Sequence, residues 1–199
     1  MVNAFTEMGI NSMTYLKKLT PFRLLFLTVS IVFSPMISEA AGSNDSEVPK
    51  PTQTTKECKK SKVWSEKKKR CVKPGNASLN DDILYGAVRE YAYAGQFENA
   101  QKILTAMKDQ SDDRVLTYWG FTHRKLGNVD LGMAFYDRAV SQNPDNLLAR
   151  SYMGQAHVEA GDTYLAWVQL QEIRTRGGAG TWPEQSLAEA IRSGETYNY

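Results

Sequence analysis

His123-Arg124-Lys125-Leu126-Gly127-Asn128-Val129-Asp130-Leu131-Gly132 is the stretch on which the fold turns. A glycine closes one apolar-periodic segment and a second such segment starts at once, which reads as helix, tight turn, helix. Outward from it, Tyr91-Ala92-Tyr93-Ala94-Gly95-Gln96-Phe97-Glu98-Asn99-Ala100 aligns on one side and His157-Val158-Glu159-Ala160-Gly161-Asp162-Thr163-Tyr164-Leu165-Ala166 on the other. Gly95, Gly127 and Gly161 stand 32 and 34 residues apart, and the small residues Ala100, Gly132 and Ala166 keep that spacing. Self-similarity at this period marks a repeat protein, whose units bury their apolar faces only by stacking on one another.

The middle unit, residues 113–146, carries Trp119-Gly120, His123, Gly127, Gly132, Tyr136, Ala139 and Pro144. In that order and spacing it resembles the tetratricopeptide repeat (TPR) family, and with the export signal described below the chain is similar to its bacterial secreted members. The third unit, 147–180, keeps Met153-Gly154, His157, Gly161, Ala166, Leu170 and Ile173, with Gly178 where the family has proline. The first, from about residue 81, keeps Tyr91, Gly95, Ala100, Leu104 and Met107, but has Val88 at the small site and runs two residues short. The resemblance implies an all-α solenoid of about three helical hairpins, followed by a capping helix. Gly120, Gly132, Gly154 and Ala166 should let paired helices approach, with Trp119, Phe135 and Leu170 filling the space beside them. Leu187, Ala190 and Ile191 form a helical stripe after Trp182-Pro183 and supply the cap, joined by a flexible Arg176-Gly177-Gly178-Ala179-Gly180.

The resemblance also implies that the first helix of each unit lines a concave face. It places Tyr85, Arg89 and Tyr93 there from the first unit, Thr117, Phe121, Arg124 and Lys125 from the second, and Ser151, Gln155 and Glu159 from the third. Aromatic and cationic groups together suit an extended peptide with an acidic or carboxylate end, so the expected partner is an envelope protein or peptide. The lysine and asparagine set with which the family clamps a C-terminal carboxylate is missing from these positions.

Lys17, Lys18 and Arg23 flank the apolar run 24–37, and small residues follow at Ser38 and Ala40. This is the pattern of a secretory signal peptide over 1–40, cut after Ala40, with Met1 and Met13 both available as starts. The run is shorter than the ~20 residues that span a bilayer and is broken by Pro35, so no stable membrane span is expected after cleavage. The product would be periplasmic or secreted. Residues 41–57 are Ser-, Thr- and Pro-rich with Val48 as their one bulky apolar side chain, and they read as a flexible linker.

In an exported chain the isolated pair Cys58 and Cys71 reads as a disulfide, closing a basic β-hairpin over 58–75 that turns near Ser65–Lys68. Nine basic and two acidic residues lie between Lys56 and Lys73. Lys59, Lys60, Lys67, Lys68, Lys69 and Arg70, with Trp64 beside them, fit an anionic polymer, the indole stacking on sugar. The plainer reading is a solvated flank whose Trp64 packs on the disulfide, since charge runs are usually solvated faces. Helical repeats are expected over 81–180, and the cap and tail over 181–199.

With 24 Lys+Arg against 22 Asp+Glu, the net charge of +2 drives no nucleic-acid binding. There is no glycine-rich phosphate loop and no nucleophile with base and orienting acid, so neither an enzyme nor a cofactor is expected. Asp81-Asp82 and Asp112-Asp113 open helices, where carboxylates favour the amino-terminal dipole, and are not an acid–base pair. His123 and His157 hold equivalent places near Glu159, but Tyr91 holds the same place in the first unit, which points to packing and not to a metal.

Overall fold

Four of the long helices start where the sequence offers a side chain to their free amides. A computed structural model describes Asp45 and residues 47–196; the expected signal peptide at 1–40 and the last three residues lie outside that span. Asn80 caps α2 (Asp81–Tyr93) by accepting from the Ile83 amide, with Asp81 and Asp82 in the first turn. Asp112 caps α4 (Asp113–Lys125), Asn146 caps α6 (Leu147–Glu159) and Asp162 caps α7 (Thr163–Ile173). Such caps contribute about 1 kcal/mol each. A short α1 (Gln53–Glu57) precedes these, and α3 (Phe97–Leu104), α5 (Val129–Gln142) and α8 (Trp182–Ser193) complete the helices. The protein is mostly helical.

Within the helical body α2 packs on α3, α4 on α5, and α6 on α7, each pair joined by a three-residue turn around a left-handed glycine. Gly95, Gly127 and Gly161 take φ of 70°, 86° and 80°, a conformation that strains any residue with a β-carbon. Between pairs, α2 touches α4 and α4 touches α6. One core results, built largely from aromatic rings: Tyr85, Tyr91, Tyr118, Phe121, Tyr136 and Tyr152 are buried in it, with Phe121 and Tyr152 at 4.6 Å between centroids.

The small residues act as anticipated in α4 and α5. A β-carbon on Gly120 would fall 2.5 Å from Tyr136 Cε1, and one on Gly132 would fall 2.9 Å from the Gly120 carbonyl oxygen. Gly154 differs. Its missing β-carbon leaves room for Leu187 of α8, which would otherwise stand 2.6 Å away, so this glycine admits the last helix and not its sequence neighbour α7. Trp119 stacks on His123 and Phe135 as a half-buried ladder beside the core. The joint before α8 is packed, not free: the chain kinks at Arg176 and Gly177, the latter at φ 81°, and Gly178 is buried against Ile173 and Leu147.

Cys58 and Cys71 are bonded, and β1 (Val63–Ser65) pairs antiparallel with β2 (Arg70–Val72), setting Val63 opposite Val72 and Trp64 opposite Cys71. A two-stranded hairpin alone is marginal in water. Here Val63 is fully buried in the helical core, the Tyr91 hydroxyl of α2 donates to the Lys62 carbonyl (2.8 Å), and Ser65 and Ser78 share a 2.7 Å hydrogen bond. The hairpin is thus part of the body.

Candidate functional site

The described part of the segment expected as a linker, Asp45 and residues 47–57, is instead held against α2 as a strap. The Thr52 amide and hydroxyl donate to Glu90 at 2.8 and 2.7 Å, and the Thr55 hydroxyl adds a third bond at 3.0 Å. Further up, Arg89 donates to the Glu47 carbonyl at 2.7 Å, its Nε lies 3.7 Å from the Asp45 carboxylate, and the Tyr85 hydroxyl donates to Asp45. Arg89 is only 5% exposed. Burial raises the Asp45 carboxyl above its usual value, outweighing the hydrogen bond from Tyr85 and the positive charge of Arg89. Burial, then the Asp45 charge, likewise pushes the Tyr85 phenol well up, so it stays a donor.

Of the ten residues anticipated on an open concave face, Tyr85 and Arg89 hold the strap and the others serve elsewhere. Tyr93 shares a hydrogen bond with Tyr152 (2.8 Å) and accepts from the Trp182 indole (3.0 Å). Phe121 lies in the core. Thr117 is buried, donating to the Asp113 carbonyl and accepting from Asn146. Ser151 and Gln155 are buried under α8, the Gln155 amide donating to Ser186 of that helix at 3.0 Å. Arg124 and Lys125 are committed to Glu159, at 2.8 and 3.4 Å, and Thr196 also donates to that carboxylate. The expectation of a groove open along all three units is therefore corrected. The units are so few that one strap, one cap helix and the core rings fill the space.

A cavity of about 530 Å³ remains between the strap end and α8. Asp45, Asp82, Asp113, Arg114 and Pro183 are among its lining residues, so it is acidic where a cationic groove was anticipated. Asp113 accepts from the amides of Asn143 and Asn146, and Arg114 bridges Asp112 and Asp82. On α7, Tyr164 and Trp167 stand exposed, large apolar side chains that sequence periodicity did not single out.

On the hairpin, Trp64 is half-buried and its indole donates to Glu66 (2.9 Å), which also pairs with Lys69 at 2.6 Å. Neither the free sugar platform nor the bare six-residue basic run is what the structure presents. Lys59, Lys60, Lys67, Lys68 and Arg70 are exposed and have no carboxylate partner among the described residues.

His123 stacks between Trp119 and Phe135, and burial lowers its pKa, so it is a neutral packing ring. No group of His, Cys, Asp and Glu able to hold a metal ion occurs among the described residues. Among the same residues no helix is long and apolar enough to cross a membrane. Asp45, Glu47 and Glu90 were not anticipated in the site; no spacing rule relates Asp45 and Glu47 to Tyr85 and Arg89 across about forty residues. Comparison of the chain with protein-family profiles, with characterised proteins and with solved structures returns no match.

Proposed function

We propose that this chain is an exported, non-enzymatic binding module, a TPR-like solenoid whose α2 face receives extended acidic segments from an envelope protein or peptide. The 32- and 34-residue glycine spacing, the shared turn geometry at Gly95, Gly127 and Gly161, and the pairing of α2–α3, α4–α5 and α6–α7 support the TPR-like reading. The disulfide fits an oxidising compartment. One observation carries the functional reading: Tyr85 and Arg89 already hold an acidic segment of the chain itself, Tyr85 through the Asp45 carboxylate and Arg89 through the Glu47 carbonyl. A partner segment of the same character would exchange with it.

The test is fluorescence anisotropy with a labelled peptide of residues 42–50. Asp45→Ala, which loosens the strap, should strengthen peptide binding several-fold by freeing the competent state. Arg89→Ala should weaken it about tenfold or more, the effect of losing a charge-assisted hydrogen bond. Peptide affinity indifferent to both substitutions, with helical content unchanged, removes the α2 face from the function.

A second reading rests on the unpaired lysines of the hairpin, which suit association with an anionic cell-wall polymer. It predicts that Lys67 and Lys68 at the hairpin tip, the most outlying cations, carry that association.

A further inference from the structure

The lysines of this region do not all point to the tip. A cleft of about 480 Å³ opens between the hairpin and α3, with Lys60, Lys62, Lys73 and Lys102 on its walls and Pro74 and Ala106 among its apolar lining. Three separate chain segments contribute: the turn before β1, the residues just after β2, and α3. None of the four ammonium groups meets a carboxylate among the described residues, in contrast to Lys69 at the tip. Four lysines thus line one cleft with no carboxylate among the described residues to offset their charge, a setting that favours an anion.

The turn that presents two of these lysines is held in a disfavoured shape. The Lys62 amide donates to the Lys59 carbonyl at 3.3 Å, and the central residues Lys60 and Ser61 take φ of 54° and 57°. Both central residues in the left-handed region define a type I′ turn, a place for Asn-Gly and not for Lys-Ser. The surroundings enforce it. Ser61 is buried with its hydroxyl donating to the Lys60 carbonyl, Tyr91 donates to the Lys62 carbonyl, and the Cys58–Cys71 bond fixes the flanking backbone. An observed backbone strain sustained by this many contacts is a mark of a working site. It fixes the stems of Lys60 and Lys62 at the rim before any ligand arrives.

We propose that this cleft binds polyvalent phosphate. A single carboxylate would leave most of the four charges unanswered, whereas linked phosphates present several oxyanions within one cavity, and lysine serves them as a mobile point charge. The inference rests on the hairpin as an anion-binding element but assigns the work to Lys62, Lys73 and Lys102, none of which belongs to the exposed run 67–70. A free polyphosphate and a phosphate-bearing polymer offer the same chemistry.

Isothermal titration of the purified protein with inorganic tripolyphosphate, and separately with poly(glycerol phosphate), tests the assignment. The paired variants Lys62→Gln/Lys102→Gln and Lys67→Gln/Lys68→Gln each remove two charges from exposed positions, and circular dichroism checks that both keep the fold. Tripolyphosphate binding should fall about tenfold or more in the first and less than about threefold in the second. It should also weaken as salt rises from 50 to 200 mM, roughly in step with the phosphates neutralised. Tighter binding of the polymer per phosphate than of tripolyphosphate identifies a polymer-borne group; the reverse identifies a free one. Equal losses in both variants overturn the cleft, because net charge alone then explains binding. A larger loss in the tip variant also overturns it while keeping the hairpin as an anion binder. No binding of either probe by the unsubstituted protein at 50 mM salt removes both ideas.

Discussion

Adding one methyl group at Gly132 measures how tightly α4 and α5 are closed. The new β-carbon would stand 2.9 Å from the Gly120 carbonyl oxygen and 3.1 Å from both the amide nitrogen and β-carbon of Arg124. Two of these neighbours are main-chain atoms and have no rotamer to escape into. An ordinary carbon–oxygen contact needs about 3.3–3.6 Å, so the helices must part by roughly half an ångström. Overpacking of this kind costs about 1–3 kcal/mol, while alanine regains at most ~1 kcal/mol of helix propensity, leaving a net loss of about 1–2 kcal/mol. Gly86 is the matched control. It lies inside α2 and a β-carbon there meets nothing within 4 Å, so Gly86→Ala should gain about 0.5–1 kcal/mol. The two variants should therefore differ by about 1.5–3 kcal/mol in urea unfolding followed by far-ultraviolet circular dichroism, with unchanged slopes. A Gly132→Ala protein as stable as Gly86→Ala would refute the close approach of α4 and α5.

Two further expectations concern the charged network and the hairpin. For Glu159, burial alone would raise the carboxyl pKa, but Arg124, the Thr196 hydrogen bond and Lys125 together bring it below its usual 4.5. A depressed folded value stabilises above the unfolded pKa and loses that contribution as pH falls through the folded one. The stability gap between the unsubstituted protein and Glu159→Gln should thus be full at pH 7 and close below about pH 4.5, in thermal unfolding at stepped pH; a gap constant down to pH 3 contradicts it. Reducing Cys58–Cys71, whose sequence separation is 13, frees a loop worth about 3 kcal/mol in the chain-entropy account. Hydrogen exchange should then accelerate at β1 and β2 and stay slow in α4 and α6, and unchanged protection of the hairpin would show that Val63 and Tyr91 hold it unaided.

The features legible in the sequence are those written within a turn or two of chain. Gly127 precedes a new apolar period, Asp112 and Asp162 precede helices, and Lys68 donates to the Ser65 carbonyl at 3.1 Å where the hairpin turn was expected. The cysteine pair was readable because a twelve-residue gap suits neither a redox pair nor a zinc site, which would need further ligands. The candidate site was legible only in its residue types. Tyr85 and Arg89 were marked as a place for an acidic extended segment, but their observed occupant, Asp45, lies in a stretch without periodicity. The burial of Thr117, Phe121, Ser151 and Gln155 was missed because a register borrowed from longer solenoids leaves their inner face open.

What the sequence by itself determined, then, is where helices start and stop, which small residues sit at close contacts, and that Cys58 and Cys71 share one staple. These follow from backbone conformation and short-range periodicity, which few neighbours can override. Only the tertiary structure decided what lies opposite each side chain. Gly154 faces Leu187 of α8, Tyr93 reaches Trp182, Asp45 reaches Arg89, and Lys62 and Lys102 come to one cleft. Those pairings join residues more than thirty positions apart, and they depend on how the stacked helices close on themselves, a quantity that no local pattern encodes.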